Sequence, residues 1–259
     1  MIDETLLTAS DISRRFGGLL AVDRVSLSLA RGEVHAVIGT NGAGKSTLVN
    51  VLSGELRASA GRVQLQGRDV TRWPQPRRAR AGLGRSYQRT TIFPRFTVFE
   101  NCRLAAQAHH QHAWKWWSAA ALCAESSRLA ERAIEQAGLT GQAYRVAGTL
   151  SHGQKRQLEI AMCLAIAPHV LLLDEPLAGM GAEETERMLA LLAELRPGHG
   201  ILLVEHDMDA VFRVADRITV MVNGAVIASG EPDAIRSNPD VQTAYLGEAV
   251  PASVTDCAG

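Results

Sequence analysis

The glycine-rich segment from Gly39 to Thr47 has the residue types and the spacing that bind a polyphosphate. It reads GTNGAGKST and matches the pattern GxxxxGK[ST], in which small residues let backbone N–H groups surround the phosphates. We expect Lys45 to reach the terminal phosphates and the Ser46 hydroxyl to ligate Mg²⁺. A glycine-rich turn with a surface lysine is disfavoured, because a predicted strand precedes the segment and a predicted helix follows it. The candidate phosphate-binding residues are Gly39, Thr40, Asn41, Gly42, Ala43, Gly44, Lys45, Ser46 and Thr47.

A second candidate element is an apolar run that ends in two carboxylates. The run Val170–Leu173 is followed by Asp174 and Glu175, and a buried strand of this kind delivers charge to the sheet edge where ligands of α/β proteins bind. We expect Asp174 to hold Mg²⁺ through water and Glu175 to polarise an attacking water, which favours hydrolysis over transfer to a fixed acceptor. Adjacent acids at a strand end are commonly just solvated, but the phosphate-binding segment favours the catalytic interpretation.

Elements that alternate between strand and helix would position these residues. The predicted strands are Leu6–Ile12, Val22–Leu29, Glu33–Ile38, Arg62–Leu65, Val170–Leu173 and Ile201–Val204. The predicted helices are Ser46–Leu52, Gly153–Ala167 and Glu183–Leu195. Because alternating strands and helices require crossover connections, the sequence predicts an α/β fold with a parallel sheet. Strong helix formers dominate from about Val98 to Ala137, which predicts a helical subdomain inserted into the α/β body.

Length and composition exclude several classes of protein. The chain has 259 residues, of which 46% are apolar and 21% charged, so we expect a folded core and exclude disorder. Lys plus Arg and Asp plus Glu each total 27, which argues against a protein that coats nucleic acid, because counterion release needs a basic face. The four cysteines lack CxxC spacing, which disfavours disulfides and zinc. We expect neither a secretion leader nor a membrane span, since no apolar run reaches about 20 residues.

The segment at residues 150–154 points to a particular family. It reads LSHGQ and precedes a predicted helix, and it resembles the LSGGQ signature of ATP-binding cassette (ABC) ATPases. The resemblance extends over nearly the whole chain. Phe16 resembles the aromatic residue that stacks on adenine, Gln88 resembles the glutamine of the Q-loop, and His206, after a predicted strand, resembles the switch histidine. This family implies a phosphate-loop core with a parallel sheet, an antiparallel β subdomain and an inserted helical subdomain.

The resemblance also implies how the site residues are used. In this family two ATP molecules lie between two cassettes, and the signature of one subunit faces the phosphate loop of the other. The nucleotide contacts across the interface would come from Ser151, Gly153 and Gln154. The catalytic residues would be Glu175, His206 and Gln88, and Mg²⁺ would be held by Ser46, Gln88 and Asp174. A monomer would then carry two half-sites, so the resemblance implies ATP, Mg²⁺ and a dimer.

Two positions depart from the family pattern. His152 replaces the first glycine of the signature, and we expect activity to survive because the second glycine is kept. The segment after Glu175 reads PLAGM and lacks the usual aspartate. We therefore assign no role to an acid at that position.

Further segments resemble the ATPases of branched-chain amino-acid importers. They are FGGLLAV at 16–22, RAGLGR at 80–85, EPLAGM at 175–180 and the tail NPDVQTAYLG at 238–247. The urea and short-chain amide importers share LSHGQ and the AGM turn and are the alternative. Such importers imply a second cassette, two integral-membrane permeases and an external binding protein, with this chain peripheral on the cytoplasmic face of the bacterial inner membrane.

The resemblance implies one ABC ATP-binding domain over residues 1–247, with the helical subdomain inserted at about 90–165. Residues 236–247 would be the C-terminal extension of the importer group, and we expect 248–259 to be a disordered tail. A soluble ABC protein acting on nucleic acid or ribosomes is an alternative of another class. It normally has two cassettes, zinc modules or long coiled coils, which this chain lacks. The presence of Glu175 and His206 also disfavours a degenerate cassette that only binds nucleotide.

Two clusters receive plainer interpretations. One contains the arginines Arg77, Arg78, Arg80, Arg85 and Arg89. Sparse aromatic residues and zero net charge favour a solvated loop near a permease contact over a nucleic-acid site. The other contains His109, His110, His112, Trp114, Trp116 and Trp117. Without carboxylate or cysteine partners at ligand spacing, a partly exposed loop of the helical insertion is favoured over a metal site or a membrane-facing patch.

Overall fold

Two β-sheets form the framework of the protein, whose computed structural model describes residues 4–88, 91–110 and 119–246. The strands are β1 (Thr5–Phe16), β2 (Leu19–Ala30), β3 (Val34–Gly39), β4 (Ala60–Leu65), β5 (Arg68–Asp69), β6 (Leu83–Arg85), β7 (Val170–Asp174), β8 (Gly200–Val204), β9 (Arg217–Val222) and β10 (Ala225–Gly230). The first sheet is antiparallel, with the order β2-β1-β4-β5. The second has the order β10-β9-β3-β8-β7-β6 and is parallel except at its edge strand β10. The predicted α/β fold with a parallel sheet is confirmed.

Nine α-helices connect or cover these strands in the described part of the chain. They are α1 (Lys45–Ser53), α2 (Gln75–Arg80), α3 (Val98–His110), α4 (Ala119–Gln136), α5 (His152–Leu164), α6 (Ala182–Leu195), α7 (Met208–Val214), α8 (Pro232–Arg236) and α9 (Pro239–Leu246). Helices α3 and α4 occupy the region where strong helix formers predicted helix. They pack on each other and on α5, and all three lie between β6 and β7 along the chain.

The parallel sheet brings three strand ends to one edge. Every residue of β3, β7 and β8 is buried, as expected for parallel strands that are covered on both faces. One face packs under the helices α3 to α6, and the other packs against α1 and the antiparallel sheet. Val204 of β8 is aligned with Asp174 of β7 and with Val37 of β3. The residues that follow these three strands therefore meet.

Some elements differ from the sequence predictions. Helix α5 ends at Leu164 rather than Ala167, because Ala167 takes a left-handed conformation (φ 50°) that turns the chain before β7. The short elements β5, β6 and α2 were not predicted, since they are too short to show a period. Nor were β9, β10 and the helices α7 to α9.

Several sequence-based interpretations fall wholly or partly outside the described residues. His109 and His110 end α3, whereas His112, Trp114, Trp116 and Trp117 lie outside, as do Arg89 and the predicted tail 248–259. In the stretches that the structure covers, none of the helices combines the length and the apolar character needed to cross a membrane.

Arg78 of α2 stabilises the C-terminal end of α1, the helix that begins with Lys45. The side chain is only 1% exposed, and its Nη1 donates to the carbonyls of Val51 (2.8 Å) and Leu52 (2.6 Å). Nε and Nη2 donate to the carbonyls of Trp73 and Thr71. The last carbonyls of a helix lack partners within the helix and attract a cation. Burial lowers the pKa of Arg78 to about 10, so the group remains charged at neutral pH.

The interpretation of the arginine stretch as a solvated loop is wrong for two of its members. Arg78 lies in a helix and is buried, and the side chain of Arg85 is also buried. Arg85 donates to Ser53 Oγ (2.5 Å), to Asn50 Oδ1 and to Glu55 Oε2 (2.8 Å). Composition reveals the charge of this stretch but not which guanidinium groups turn inward to bind α1.

Replacing Arg78 tests its contribution to stability. We expect Arg78→Gln to lower the free energy of unfolding by about 3 kcal/mol, because buried carbonyls lose a charged donor. Urea-induced unfolding followed by circular dichroism measures the change. Arg77→Gln is the control. Within the described part of the chain its guanidinium stacks on the Trp73 ring at 3.8 Å, and its loss should lower the free energy of unfolding by less than about 1 kcal/mol. Equal losses in the two variants would contradict the role of Arg78.

Candidate functional site

The glycine-rich segment forms a loop between β3 and α1 that surrounds the Lys45 ammonium group. Gly39 ends β3 and Lys45 begins α1. The buried Lys45 Nζ donates to the carbonyls of Gly39 (2.6 Å) and Thr40 (3.0 Å). Gly44 has φ 96°, and a Cβ at this position would lie 2.3 Å from the Ala21 carbonyl oxygen. Only glycine therefore allows the loop to pass this close to the antiparallel sheet.

The charge on Lys45 is incompletely compensated inside the protein. Its pKa is lowered from the ordinary value mainly because burial disfavours the charged form, while Glu175 and Asp174 oppose this shift by attraction. An ammonium group that is held by neutral carbonyls beside the N-terminus of a helix is suited to bind an anion. Phosphate oxygens could replace the two carbonyl acceptors. The exposed Ser46 follows at the start of the same helix.

Asp174 ends β7 as a buried carboxylate with one unsatisfied oxygen. It is 3% exposed, and its Oδ1 has no hydrogen-bond partner among the residues that the structure describes. Burial raises the pKa of Asp174, although Arg85, 4.0 Å from Oδ2, and then Lys45 oppose the shift. A carboxylate oxygen that is left without a donor is the ligand that Mg²⁺ prefers. With the Ser46 hydroxyl at the loop, these residues fit a Mg²⁺ site.

Glu175 lies at the same edge and contacts Gln88. Its backbone N–H donates to the Val204 carbonyl (2.9 Å), and its φ of 50° is in the left-handed region, which is unfavourable for a residue with a side chain. Gln88 Nε2 donates to Glu175 Oε2 (2.8 Å). The amide therefore orients the carboxylate predicted to polarise water.

Helix α5 binds the segment that carries Gln88. The buried Arg156 of α5 donates through Nη1 to the Tyr87 carbonyl (3.0 Å) and through Nη2 to the Gln88 carbonyl (2.8 Å). Arg156 also forms an ion pair with Glu159 (2.8 Å), whose other oxygen accepts the Thr91 N–H (3.0 Å). The helix that begins at the signature thus positions the Gln88 backbone.

Glu205 is a buried acid at the site that the sequence analysis missed. It is fully buried, and it accepts the N–H groups of Leu177 (2.8 Å) and His206 (3.2 Å). Burial raises the pKa of Glu205. The sequence pattern that would have indicated Glu205 is the same one that indicated Asp174. Both are acids at the end of an apolar run, Asp174 in β7 and Glu205 directly after β8. The side chain of His206 is 61% exposed, so it projects from this edge.

The signature segment lies at the N-terminus of α5 and contacts the segment that follows Glu175. Ser151 caps the helix, and its Oγ accepts the Gln154 N–H (3.2 Å) while Gln154 Oε1 accepts the Ser151 N–H (3.1 Å). His152 Nε2 lies 2.9 Å from the Ala178 carbonyl oxygen. The histidine that replaces a glycine therefore links the signature to the turn after the carboxylates.

The structure brings together some of the predicted site residues and separates others. Lys45, Asp174, Glu175 and Gln88 form one cluster, with His206 at the same sheet edge. Phe16 lies at the end of β1 and is 42% exposed. The Arg14 guanidinium lies over its ring at 4.4 Å. Ser151 and Gly153 are held separately at the N-terminus of α5.

Comparison with known proteins identifies relatives over nearly the whole chain. Residues 22–178 match the ABC transporter family, and residues 225–251 match the branched-chain amino acid ATP-binding cassette transporter family. The chain is 41% identical to the high-affinity branched-chain amino acid transport ATP-binding protein BraF of Pseudomonas aeruginosa, over 94% of this chain and 98% of that protein. It is 42% identical to LivG of Salmonella typhimurium, which carries the same description, over 96% and 100% of the two chains. The solved ADP conformation of an ATP-binding cassette of an ABC transporter matches with a TM-score of 0.83 and 32% identity, over 94% and 99%.

Asp174→Asn tests whether the buried carboxylate lowers the stability of the fold. We expect the variant to be more stable at pH 7 by about 1–3 kcal/mol, because a buried carboxylate with an unpaired oxygen becomes neutral. The raised pKa of Asp174 means that the native state binds the proton more tightly than the unfolded chain. The difference in free energy of unfolding between the variant and the wild type is therefore largest above the pKa of Asp174 in the folded state. It becomes smaller as the pH falls through that pKa.

Urea unfolding at pH 7 and pH 4 measures both effects. The exposed Asp209→Asn is the control and should change stability by less than about 1 kcal/mol. A less stable Asp174→Asn variant at pH 7 would show that the fold already compensates this carboxylate.

Proposed function

This chain belongs to the ABC transporter family of ATPases, and on that premise we propose that it powers the import of branched-chain amino acids. The cluster of Lys45, Asp174, Glu175 and Gln88 carries the proposal, because it places a phosphate-binding ammonium group beside a carboxylate oriented for hydrolysis. The names of the relatives support the substrate class. So does the second family match, which spans β10, α8 and α9.

The residues at this sheet edge carry the chemical step of the proposed hydrolysis. Lys45 and the N–H groups of the loop bind the β- and γ-phosphates, and Glu175 accepts a proton from the attacking water. The water oxygen bonds to the γ-phosphorus while the bond between that phosphorus and its bridging oxygen breaks, which releases ADP and inorganic phosphate, and Glu175 then returns its proton to the products. Gln88 holds Glu175 towards that water, and the exposed His206 donates to the γ-phosphate. Bound Mg²⁺ would neutralise charge on the β- and γ-oxygens, and Ser46, Asp174 and Gln88 would hold it.

Phe16 is proposed to bind the adenine ring. It lies at the end of β1, while Gly44 of the phosphate loop approaches β2 of the same sheet. Arg14 covers one face of the Phe16 ring, which leaves the other face for stacking. The cation fixes the ring and makes the stack more favourable.

We propose that two cassettes bind two ATP molecules between them. Ser151 and Gly153, with Gln154, would complete the site formed by the phosphate loop of a second cassette. This proposal is supported by the position of the signature at the N-terminus of α5, where the Ser151 hydroxyl and the Gly153 N–H can donate to an anion. Closure on ATP and reopening after hydrolysis would be a ligand-driven population shift.

The remaining partners follow from the transporter family. We propose two integral-membrane permeases and an external binding protein, with this chain on the cytoplasmic face of the bacterial inner membrane. A groove of about 210 Å³ beside Gln88 supports a permease contact there, since its lining includes Leu83 of the parallel sheet, Tyr87 after it, and Ala105 and Met162 of the helical insertion. Urea or a short-chain amide is the alternative cargo.

Affinity purification from native membranes in mild detergent tests the transport assignment. We expect two polytopic permeases and a second cassette to accompany the chain, identified by mass spectrometry. Binding of leucine, isoleucine or valine by the external binding protein of that system, against urea and acetamide, then decides the cargo. Recovery of ribosomes or nucleic acid without membrane proteins would contradict the proposed function.

Glu175→Gln tests the proposed catalytic base. We expect the variant to bind ATP and to form a stable dimer, while steady-state hydrolysis falls by at least about 100-fold. Phosphate release measures turnover, and size-exclusion chromatography with ATP measures the dimer. The exposed Glu194→Gln on α6 is the control and should hydrolyse ATP at the wild-type rate. Unchanged turnover in Glu175→Gln would remove Glu175 from this role.

A further inference from the structure

A carboxylate of the same chain already occupies the donors of the signature. Glu184 lies in the first turn of α6. Its Oε1 accepts the hydroxyl proton of Ser151 (3.0 Å) and the backbone N–H of Gly153 (3.2 Å). A Cβ on Gly153 would lie 2.7 Å from the Glu184 carboxyl carbon, so a larger residue there would displace the Glu184 side chain from this contact.

These donors cannot serve two anions at once. A serine hydroxyl has one proton, and the Gly153 N–H is also a single donor. Ser151 uses its lone pairs for the Gln154 N–H, so its proton is the only part left for an external acceptor. A phosphate oxygen at this place would also meet the negative charge of Glu184 at close range, where like charges repel.

We propose that Glu184 competes with the γ-phosphate for the signature, a role that rests on the proposed two-cassette arrangement. In the separated cassette, Glu184 satisfies Ser151 and the N-terminus of α5, where an anion is favourable. When the ATP bound to the second cassette arrives, Glu184 must leave these donors. The displacement is a cost that sets how much ATP is needed to close the dimer.

The structure offers a place for the displaced carboxylate. A cavity of about 240 Å³ adjoins the signature, and its lining includes Ser151, Gly153, Glu184 and Arg187. Arg187 lies three residues after Glu184 on α6, a spacing that brings side chains together on a helix. Its ion pair with Glu183 is long, at 3.9 Å, and both side chains are largely exposed. Arg187 is therefore the second partner to which Glu184 would turn.

The test measures ATP-driven dimerisation in full-length Glu175→Gln, which the proposed mechanism traps. Light scattering gives the ATP concentration for half-maximal dimer. Adding Glu184→Gln, which keeps the shape but removes the charge, should lower that concentration about fivefold or more. Glu194→Gln is the control, because it removes the same charge from an exposed side chain further along α6 and leaves Arg187 and its partners unchanged. It should leave the ATP concentration within about twofold of the parent.

Arg187→Gln separates competition from general stabilisation of the signature. It should raise the ATP concentration needed for half-maximal dimer when Glu184 is present, and it should not change that concentration when residue 184 is glutamine. A higher or unchanged ATP requirement in Glu184→Gln would overturn the competitor role and assign Glu184 to structural support of α5. If the Glu175→Gln parent itself forms no dimer with ATP, with or without the second cassette, the two-cassette arrangement fails and the competitor role with it.

Discussion

Charge held without full compensation at the carboxyl edge of the parallel sheet is the constraint on which the structure depends. Lys45, Asp174 and Glu205 are all buried there. Burial favours the neutral form of each group, so it lowers the pKa of Lys45 and raises the pKa of Asp174 and of Glu205. Such groups stay in place only because the strands before them are buried on both faces and hydrogen-bonded to neighbours. These buried charges lower the stability of the protein, but they also let Lys45 bind a polyanion and Asp174 bind a cation.

Buried arginines connect the helices to that edge. Arg78 and Arg85 bind the far end of α1, and Arg156 binds the backbone at Gln88. Each uses the fixed geometry of a guanidinium group to hold several acceptors at once. Because α5 carries Arg156 near one end and begins at the signature, a displacement of this helix moves the Gln88 segment as well. The helical insertion and the carboxylate edge are therefore mechanically joined.

The features that could be predicted from the sequence are those formed by residues close together along the chain. The phosphate loop, the apolar strands and the acids after β7 are local patterns, and Glu205 could have been found from the same pattern after β8. The roles of Glu184 and Arg156 could not be predicted in this way. The Ser151 donor of Glu184 lies 33 residues away along the chain, and the Gln88 acceptor of Arg156 lies 68 residues away. Neither a hydrophobic period nor a sequence motif indicates hydrogen bonds between residues so far apart along the chain. The arginine stretch was misjudged for a related reason, since charge in a sequence does not show which side chains turn inward.

Glu175 and Ser151 lie in one chain but would act on different nucleotides. Consider a mixed pair in which one copy has lost Glu175 and the other has lost Ser151. The first copy's nucleotide then lacks both the base and the facing hydroxyl, while the second copy's nucleotide has both. The two defects fall on the same ATP, so two inactive alleles would complement each other and restore one working site.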